Sequence, residues 1–132
     1  SEMCIRDSQK CSMNLIDLKQ SRELIKNCNV VKQIAGGSSA NTVYALATLG
    51  NNVDFIGRVK NDYYGKIFSE NIIKSGASFN SSYVISDKSS AHSIILITPD
   101  AQRTMCTYLG ASVEFESNDI DYNSIKNSKY IY

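Results

Sequence analysis

Gly36, Gly37 and Asn41 lie close enough in the chain to build the floor of a ligand site, and the residue types around them bear on the ligand chemistry that would suit it. The stretch Ala35 to Gly65 reads AGGSSANTVYALATLGNNVDFIGRVKNDYYG. Glycine has no Cβ, so the backbone at Gly36 and Gly37 can take φ > 0 and come close to a bound molecule. Ser38, Ser39 and Asn41 follow at once. Their oxygens can cap a helix or face a ligand, and the free N–H groups of a first helical turn add donors aimed the same way. Helix N-termini attract anions, but the chain contains neither G-x-x-x-x-G-K-[ST] nor G-x-G-x-x-G, the two phosphate-cradling fingerprints. Neutral hydroxyls suit the turn better. Each sugar hydroxyl is donor and acceptor, and Asn41 offers a carbonyl oxygen and an NH₂ on one planar group that can hold two of them.

Each of these residues also has a plainer use. A GG turn before a helix, taken alone, is more often backbone punctuation. Asn41 could tie its own turn to neighbouring backbone. Asp62 tempts as a general base, but a carboxylate beside Asn61 at a helix start reads as a cap. Arg103 follows a turn and could reach a substrate oxygen or phosphate with its planar fork, although an Arg beside a hairpin loop is more often solvated. His92, the sole histidine, has no nucleophile motif or carboxylate at useful spacing and reads as an exposed strand residue.

The elements that must position these groups follow from periodicity and punctuation. Met13 to Ile16 is a short apolar run, and Asp17 can cap a helix through about Asn27, with Leu18, Leu24, Ile25 and Cys28 at helical spacing. Val30 to Ala35 reads as a strand entering the glycine turn. From Ser39 to Leu49, Ala40, Val43, Leu46, Ala47 and Leu49 form one helical stripe, and Gly50 stands where a left-handed residue must end it. Val53, Phe55 and Ile56 read as a buried strand. Asn61 or Asp62 then starts a helix with Tyr64, Ile67, Phe68, Ile72 and Ile73 inward, until Gly76. Two βα units in succession argue for a parallel sheet with crossover helices. After Gly76 the pattern changes: Tyr83 to Ser86, Ser93 to Thr98 and Arg103 to Leu109 are β-rich runs between turn compositions, and read as antiparallel strands. Asp119 to Asn127 is weakly helical, anchored by Ile120 and Ile125, and Lys129 to Tyr132 reads as the start of a buried strand.

The GG-x-x-x-N turn opening a helix, with Gly50, the Val53 to Gly57 strand, Asn61-Asp62 and Gly65 at matching spacing, resembles the first signature motif of the PfkB, or ribokinase-like, family of sugar and nucleoside kinases. The family pattern has Gly, Ala or Pro where Ser39 stands, a small residue where Val43 stands and Gly where Lys60 stands. PDAQRTM followed by YLGA resembles the adenosine-kinase-like and related sugar-kinase branches. The resemblance implies an α/β fold, a three-layer parallel sheet with a small antiparallel β lid, here incomplete. It implies transfer of the ATP γ-phosphoryl group, with Mg²⁺, to a hydroxyl of a sugar or nucleoside, and makes Gly36, Gly37, Asn41 and Arg103 the substrate-binding residues. Family members are more than twice as long. Their catalytic Asp stands in a GAGD segment of the C-terminal half, and no such segment occurs in these 132 residues, so no catalytic residue is assigned and the chain alone is expected to be inactive. Residues 11–132 read as the N-terminal part of the kinase domain, with lid strands within about 82–110, and 1–10 as an unassigned or artefactual leader. One apolar lid face is expected to need a substrate or a second subunit, a homodimer through the lid, to cover it.

Bulk composition agrees with a single soluble domain: 132 residues, 42% hydrophobic and 20% charged, are enough for a real core. A net charge of +1 with both signs scattered disfavours nucleic acid and membrane surfaces as partners. Cys4, Cys11, Cys28 and Cys106 show no C-x-x-C pairing and no His at ligand spacing, so neither zinc nor a disulfide framework is indicated, and reduced thiols fit a cytoplasm. The rival is a non-catalytic α/β ligand-binding or regulatory relic of the same fold. Continuation of the gene past Tyr132 into a G-x-G-D segment would separate the two.

Overall fold

The computed structural model describes residues 12–79 and 83–132. The expectations for the leader at 1–10, for Cys4 and Cys11 and for residue 82 of the lid fall outside them. The chain divides into two units, residues up to Gln33 with Ala91–Gly110, and Ile34–Ser90 with Ala111–Tyr132.

Among the described residues, the first unit is a small mixed sheet carrying one helix. Strand β1 (Met13–Leu15) runs parallel to β5 (Arg103–Tyr108), and β5 pairs antiparallel with β4 (His92–Ile97), giving the order β1-β5-β4. The β4–β5 hairpin closes by Thr98 N–H donating to the Gln102 carbonyl (3.0 Å), with Ala101 at φ 59°. Helix α1 (Leu18–Asn27) begins at Asp17, which accepts from Gln20 N–H at 2.7 Å while the Gln20 side chain accepts from Asp17 N–H at 2.9 Å. This reciprocal capping satisfies two orphan donors at once. The helix packs on β4 and β5, burying Ser21 and Leu24. Period-two alternation sends Met13, Leu15, Ile95 and Ile97 to the opposite side, where all four are exposed, so the sheet keeps one apolar face open.

In the second unit, helix α2 (Ser38–Thr48) leads to β2 (Asp54–Phe55), helix α3 (Tyr63–Lys74) to β3 (Ser78–Phe79), and β2 and β3 pair in parallel as the β-α-β order requires. A parallel bridge between Lys60 and Val84 prolongs the arrangement. Helix α2 ends as expected: Gly50 takes φ 85°, Asn51 N–H reaches the Leu46 carbonyl (3.2 Å) and Gly50 N–H the Ala47 carbonyl (2.9 Å), a Schellman closure. The core is Ala40, Val43, Ala47, Ile72 and Ala77, closed by Val53 and by Phe55, Phe68 and Phe79, whose ring centroids lie 5.6–5.8 Å apart. Ile72 is 1% exposed. Ile72→Val is therefore expected to cost about 1 kcal/mol, read as a lowered urea midpoint at constant m value. The remainder is short: 3₁₀ turns at Gly110–Glu114 and Ser117–Asp119, then helix α4 (Tyr122–Lys126), capped by Asp121.

Several local expectations are corrected. Val30 to Ala35 forms no strand, and Val31 (91%) and Ile34 (66%) are exposed, because β-branched residues make a strand only where a neighbour supplies hydrogen bonds. Leu46, Leu49 and Ile73 are exposed, while the small residues Gly65 and Ser69 take the inner face of α3. Tyr83 to Ser86 is not an antiparallel strand: Val84 N–H donates to the Val59 carbonyl (3.0 Å) in the parallel sense. Lys129 to Tyr132 is irregular and exposed, with no strand among the described residues beside it.

Candidate functional site

The glycine turn meets α2 without a protein cap. Gly37 is the N-cap residue at φ 104°, ψ 148°, a conformation that only glycine holds without strain, and no side chain accepts a hydrogen bond there. Helices α1, α3 and α4 each begin on an aspartate that does. The N–H groups of Ser38 and Ser39, both exposed, consequently lack partners among the described residues. Asn41 N–H is the first to bond within the helix, to the Gly37 carbonyl at 2.9 Å.

Space at the turn is open. A Cβ built on Gly36 or Gly37 would meet nothing within 4 Å among the described residues, so no packing among them explains glycine at Gly36. Asn41 is exposed, and its carboxamide makes no hydrogen bond among the described residues. Among the described residues, the Asn41 side chain does not tie its own turn. A free carboxamide, two bare helical N–H groups and an unobstructed backbone thus face outward within six residues, Gly36 to Asn41. Such a set can donate to and accept from hydroxyls of one small molecule.

Asp62 is the cap the sequence indicates, with an added connection. Its Oδ1 accepts from Gly65 N–H (2.9 Å) and its Oδ2 from Ser90 N–H (2.8 Å). Partial burial alone would raise its pKa, but the N–H groups of Ser90 and Gly65, the Ser90 hydroxyl and the charge of Lys60 outweigh burial and hold it below the ordinary carboxylate value. A folded-state pKa below the unfolded one means stabilisation that is complete above about pH 4 and lost as pH falls through the folded value. Asp62→Asn is expected to flatten the acid limb of stability, measured as urea midpoints from pH 5 down to pH 3. An acid limb as steep as wild type would contradict it. Burial, with Tyr63 and Asp62 nearby, pushes the neighbouring Tyr64 phenol up.

Arg103, the first residue of β5, belongs to the other unit and is exposed, with no hydrogen bond or ion pair among the described residues. Gly36, Gly37 and Asn41 are thus brought together by one turn, and Arg103 is not part of that turn. His92 is not the exposed strand residue expected. It is half-buried, its Nε2 lies 2.6 Å from Oγ of the fully buried Ser21, and its ring stands 5.4 Å from that of Tyr108. That pairing is an inter-element contact between α1 and β4.

Two residues, one half-buried and one buried, escaped sequence reasoning. Arg58 lies mostly inside, its Nη1 donating to the Glu114 carbonyl and to Asp119 Oδ2 (2.8 Å); a lone Arg within the apolar run FIGRV was the only signal. Ser90 is 1% exposed, and nothing in the run DKSSA marks it. Glu114 accepts from the Ser86 hydroxyl (2.7 Å) and pairs with Lys88 (3.3 Å); the Ser86 bond foremost, then Lys88 and Arg58, hold its pKa below the usual value. Among the described residues no three His, Cys, Asp or Glu side chains gather as a cation site, so no residue here is assigned to hold Mg²⁺. No helix among them is long and apolar enough to cross a membrane.

The family model for pfkB family carbohydrate kinases matches residues 8–132. The chain belongs to that family. Among curated relatives it is 34% identical over 99 residues to the 5-dehydro-2-deoxygluconokinase of Geobacillus kaustophilus, covering 71% of this chain and 29% of that protein. Among solved structures it matches adenosine kinase from Sinorhizobium meliloti with a TM-score of 0.85 and 30% identity, over 97% of this chain and 39% of that one. A probable sugar kinase from Rhizobium etli gives the same values. Adenosine kinase from Anopheles gambiae, solved with P1,P4-di(adenosine-5) tetraphosphate, shares the fold at 24% identity and a TM-score of 0.77. The expected α/β, ribokinase-like fold class stands, and the chain spans less than two fifths of the length of these relatives. The relatives it matches bear the names of sugar and nucleoside kinases.

Proposed function

We propose that this chain supplies the acceptor floor and the lid of an ATP-dependent kinase that phosphorylates a hydroxyl of a sugar or nucleoside. The observation that carries the reading is the outward-facing set at the start of α2: Gly36 and Gly37 unobstructed, the first-turn N–H groups uncapped and the Asn41 carboxamide unengaged. The Asn41 carbonyl accepts from one acceptor hydroxyl, its NH₂ donates to another, and the helix N–H groups fix a third oxygen. Three contacts of this kind hold a ring in one orientation, which is how binding converts into rate when the other reactant is presented in line. ATP is the phosphoryl donor expected of a kinase family, and Mg²⁺ the ion that supports transfer in the complete enzyme. The general base and the groups that neutralise the transferring phosphoryl belong, in this reading, to residues beyond these 132.

The sheet β1-β5-β4 is the lid. Its open face of Met13, Leu15, Ile95 and Ile97 is what a bound acceptor or a second subunit would cover, and Arg103 at the hairpin edge is available to an acceptor oxygen or phosphate. A reduced, cytoplasmic setting fits the cysteines of this chain.

The reading is tested by assaying the full-length gene product with ATP and Mg²⁺ against adenosine, ribose, fructose and 5-dehydro-2-deoxygluconate, with residues 1–132 alone as the negative arm. Transfer to at least one acceptor by the full-length product, and none by the 132-residue chain, is expected. Absence of transfer with retained acceptor binding would replace the kinase with a non-catalytic binding protein, and turnover by residues 1–132 would move the active site.

A further inference from the structure

The chain passes between its two units at Gln33–Ile34, Ser90–Ala91 and Gly110–Ala111. Two of these passages are fastened from within the α/β unit by the same few atoms. Ser90 is 1% exposed, and its N–H donates to Asp62 Oδ2 at 2.8 Å. Its hydroxyl accepts from Lys60 N–H at 2.9 Å and stands 3.3 Å from the Lys60 carbonyl oxygen. One residue earlier, the Ser89 carbonyl accepts from Ala111 N–H at 2.9 Å, and Ala111 is 0% exposed. There is no slack behind them: a Cβ on Gly65 would stand 2.0 Å from the Lys60 carbonyl oxygen and 2.8 Å from Ser90 Oγ.

A helix cap needs one acceptor oxygen, and Ser or Thr would serve α3 nearly as well. Asp62 has two. Its Oδ1 does the capping, on Gly65 N–H, while its Oδ2 holds a residue 28 positions further along the chain. A charged acceptor makes the stronger bond at both N–H groups.

We propose that Asp62 is a positioning residue that fastens the root of the antiparallel unit. It pins the passage at Ser90, and the Ser89–Ala111 bond ties the returning passage to the same point. Within the α/β unit, the chain on either side of the β4–β5 hairpin is therefore held at Ser90 and at Ala111. The kinetic consequence rests on the reading of that unit as the lid; the clamp itself does not.

Asp62→Ser separates clamp from cap, since a shorter side chain with a single oxygen keeps the bond to Gly65 N–H and releases Ser90. Asp121→Ser is the control, a matching change at the α4 cap, which touches neither passage. In the full-length gene product, Asp62→Ser is expected to speed amide hydrogen exchange at Ser90 and Ala111 by at least about tenfold, and to raise the acceptor KM at least about fivefold with the ATP KM within about twofold. Asp121→Ser should change neither. Unchanged exchange at Ser90 overturns the clamp, and faster exchange without a rise in acceptor KM overturns its positioning role. If Asp62→Ser does not fold, Asp62→Asn, equal in volume with one acceptor oxygen for two N–H groups, is read by the same exchange and KM measurements. If the wild-type protein phosphorylates no acceptor, the kinase reading fails, and exchange at Ser90 alone still decides the clamp.

Discussion

Asn41→Ala in the full-length protein is expected to lower kcat/KM for the phosphoryl acceptor by at least about tenfold, equivalent to roughly 1.4 kcal/mol, and to leave the KM for ATP nearly unchanged. The change removes a side chain that makes no hydrogen bond within the described chain, so the fold loses little and the loss appears in acceptor binding and orientation. Exposed helical positions accept alanine readily, and the thermal midpoint should stay within a few degrees of wild type. This combination distinguishes a ligand contact from a structural one. A turn-tying asparagine would lower the midpoint and spare the kinetics. Unchanged acceptor kinetics would remove Asn41 from the site and leave the glycine turn as backbone punctuation.

Gly65→Ala is expected to destabilise the folded protein by about 3 kcal/mol or more, the upper end of what overpacking produces. The added carbon would stand 2.0 Å from the Lys60 carbonyl oxygen and 2.8 Å from Ser90 Oγ. The hydroxyl is itself held by Lys60 N–H, and the carbonyl is backbone, so neither can rotate aside. Relief requires moving the first turn of α3 away from the segment Val59–Lys60, and with it the bonds from Gly65 and Ser90 to Asp62. Urea unfolding of purified variant and wild type measures the effect. A loss below about 1 kcal/mol would mean that the junction between α3 and Ser90 is looser than its geometry indicates. The glycine is explained by close approach, since Gly65 is not among the positive-φ residues.

What was legible in the sequence is what neighbouring residues settle among themselves. The caps at Asp17, on Gln20, and at Asp62, on Gly65, close within three residues. The left-handed turns at Gly50 and Gly76 need only the preceding helix. The stripe Ala40, Val43, Ala47 needs only the 3.6-residue period. The same holds for the candidate site: Gly36, Gly37 and Asn41 share one turn, so their spacing in the chain is already their spacing in space. A resemblance confined to that turn and the segments after it was enough to indicate the family.

Tertiary structure decided whatever depends on a distant partner. Val30 to Ala35 has the composition of a strand and is none, while Met13–Leu15 becomes one by pairing with Met105–Thr107 across most of the chain. Backbone hydrogen bonds between strands are made with residues that local pattern cannot name. Tyr83 to Ser86 likewise has β composition, but its partner is Lys60 in parallel and not a hairpin neighbour. The ties from Ser21 to His92 and from Arg58 to Asp119 span 71 and 61 positions. Asp62 shows the division within one side chain. Its first oxygen serves Gly65, three residues away, and was predictable as a cap, whereas the bond of its second exists only because the fold brings Ser90, 28 positions further along, back to the start of α3.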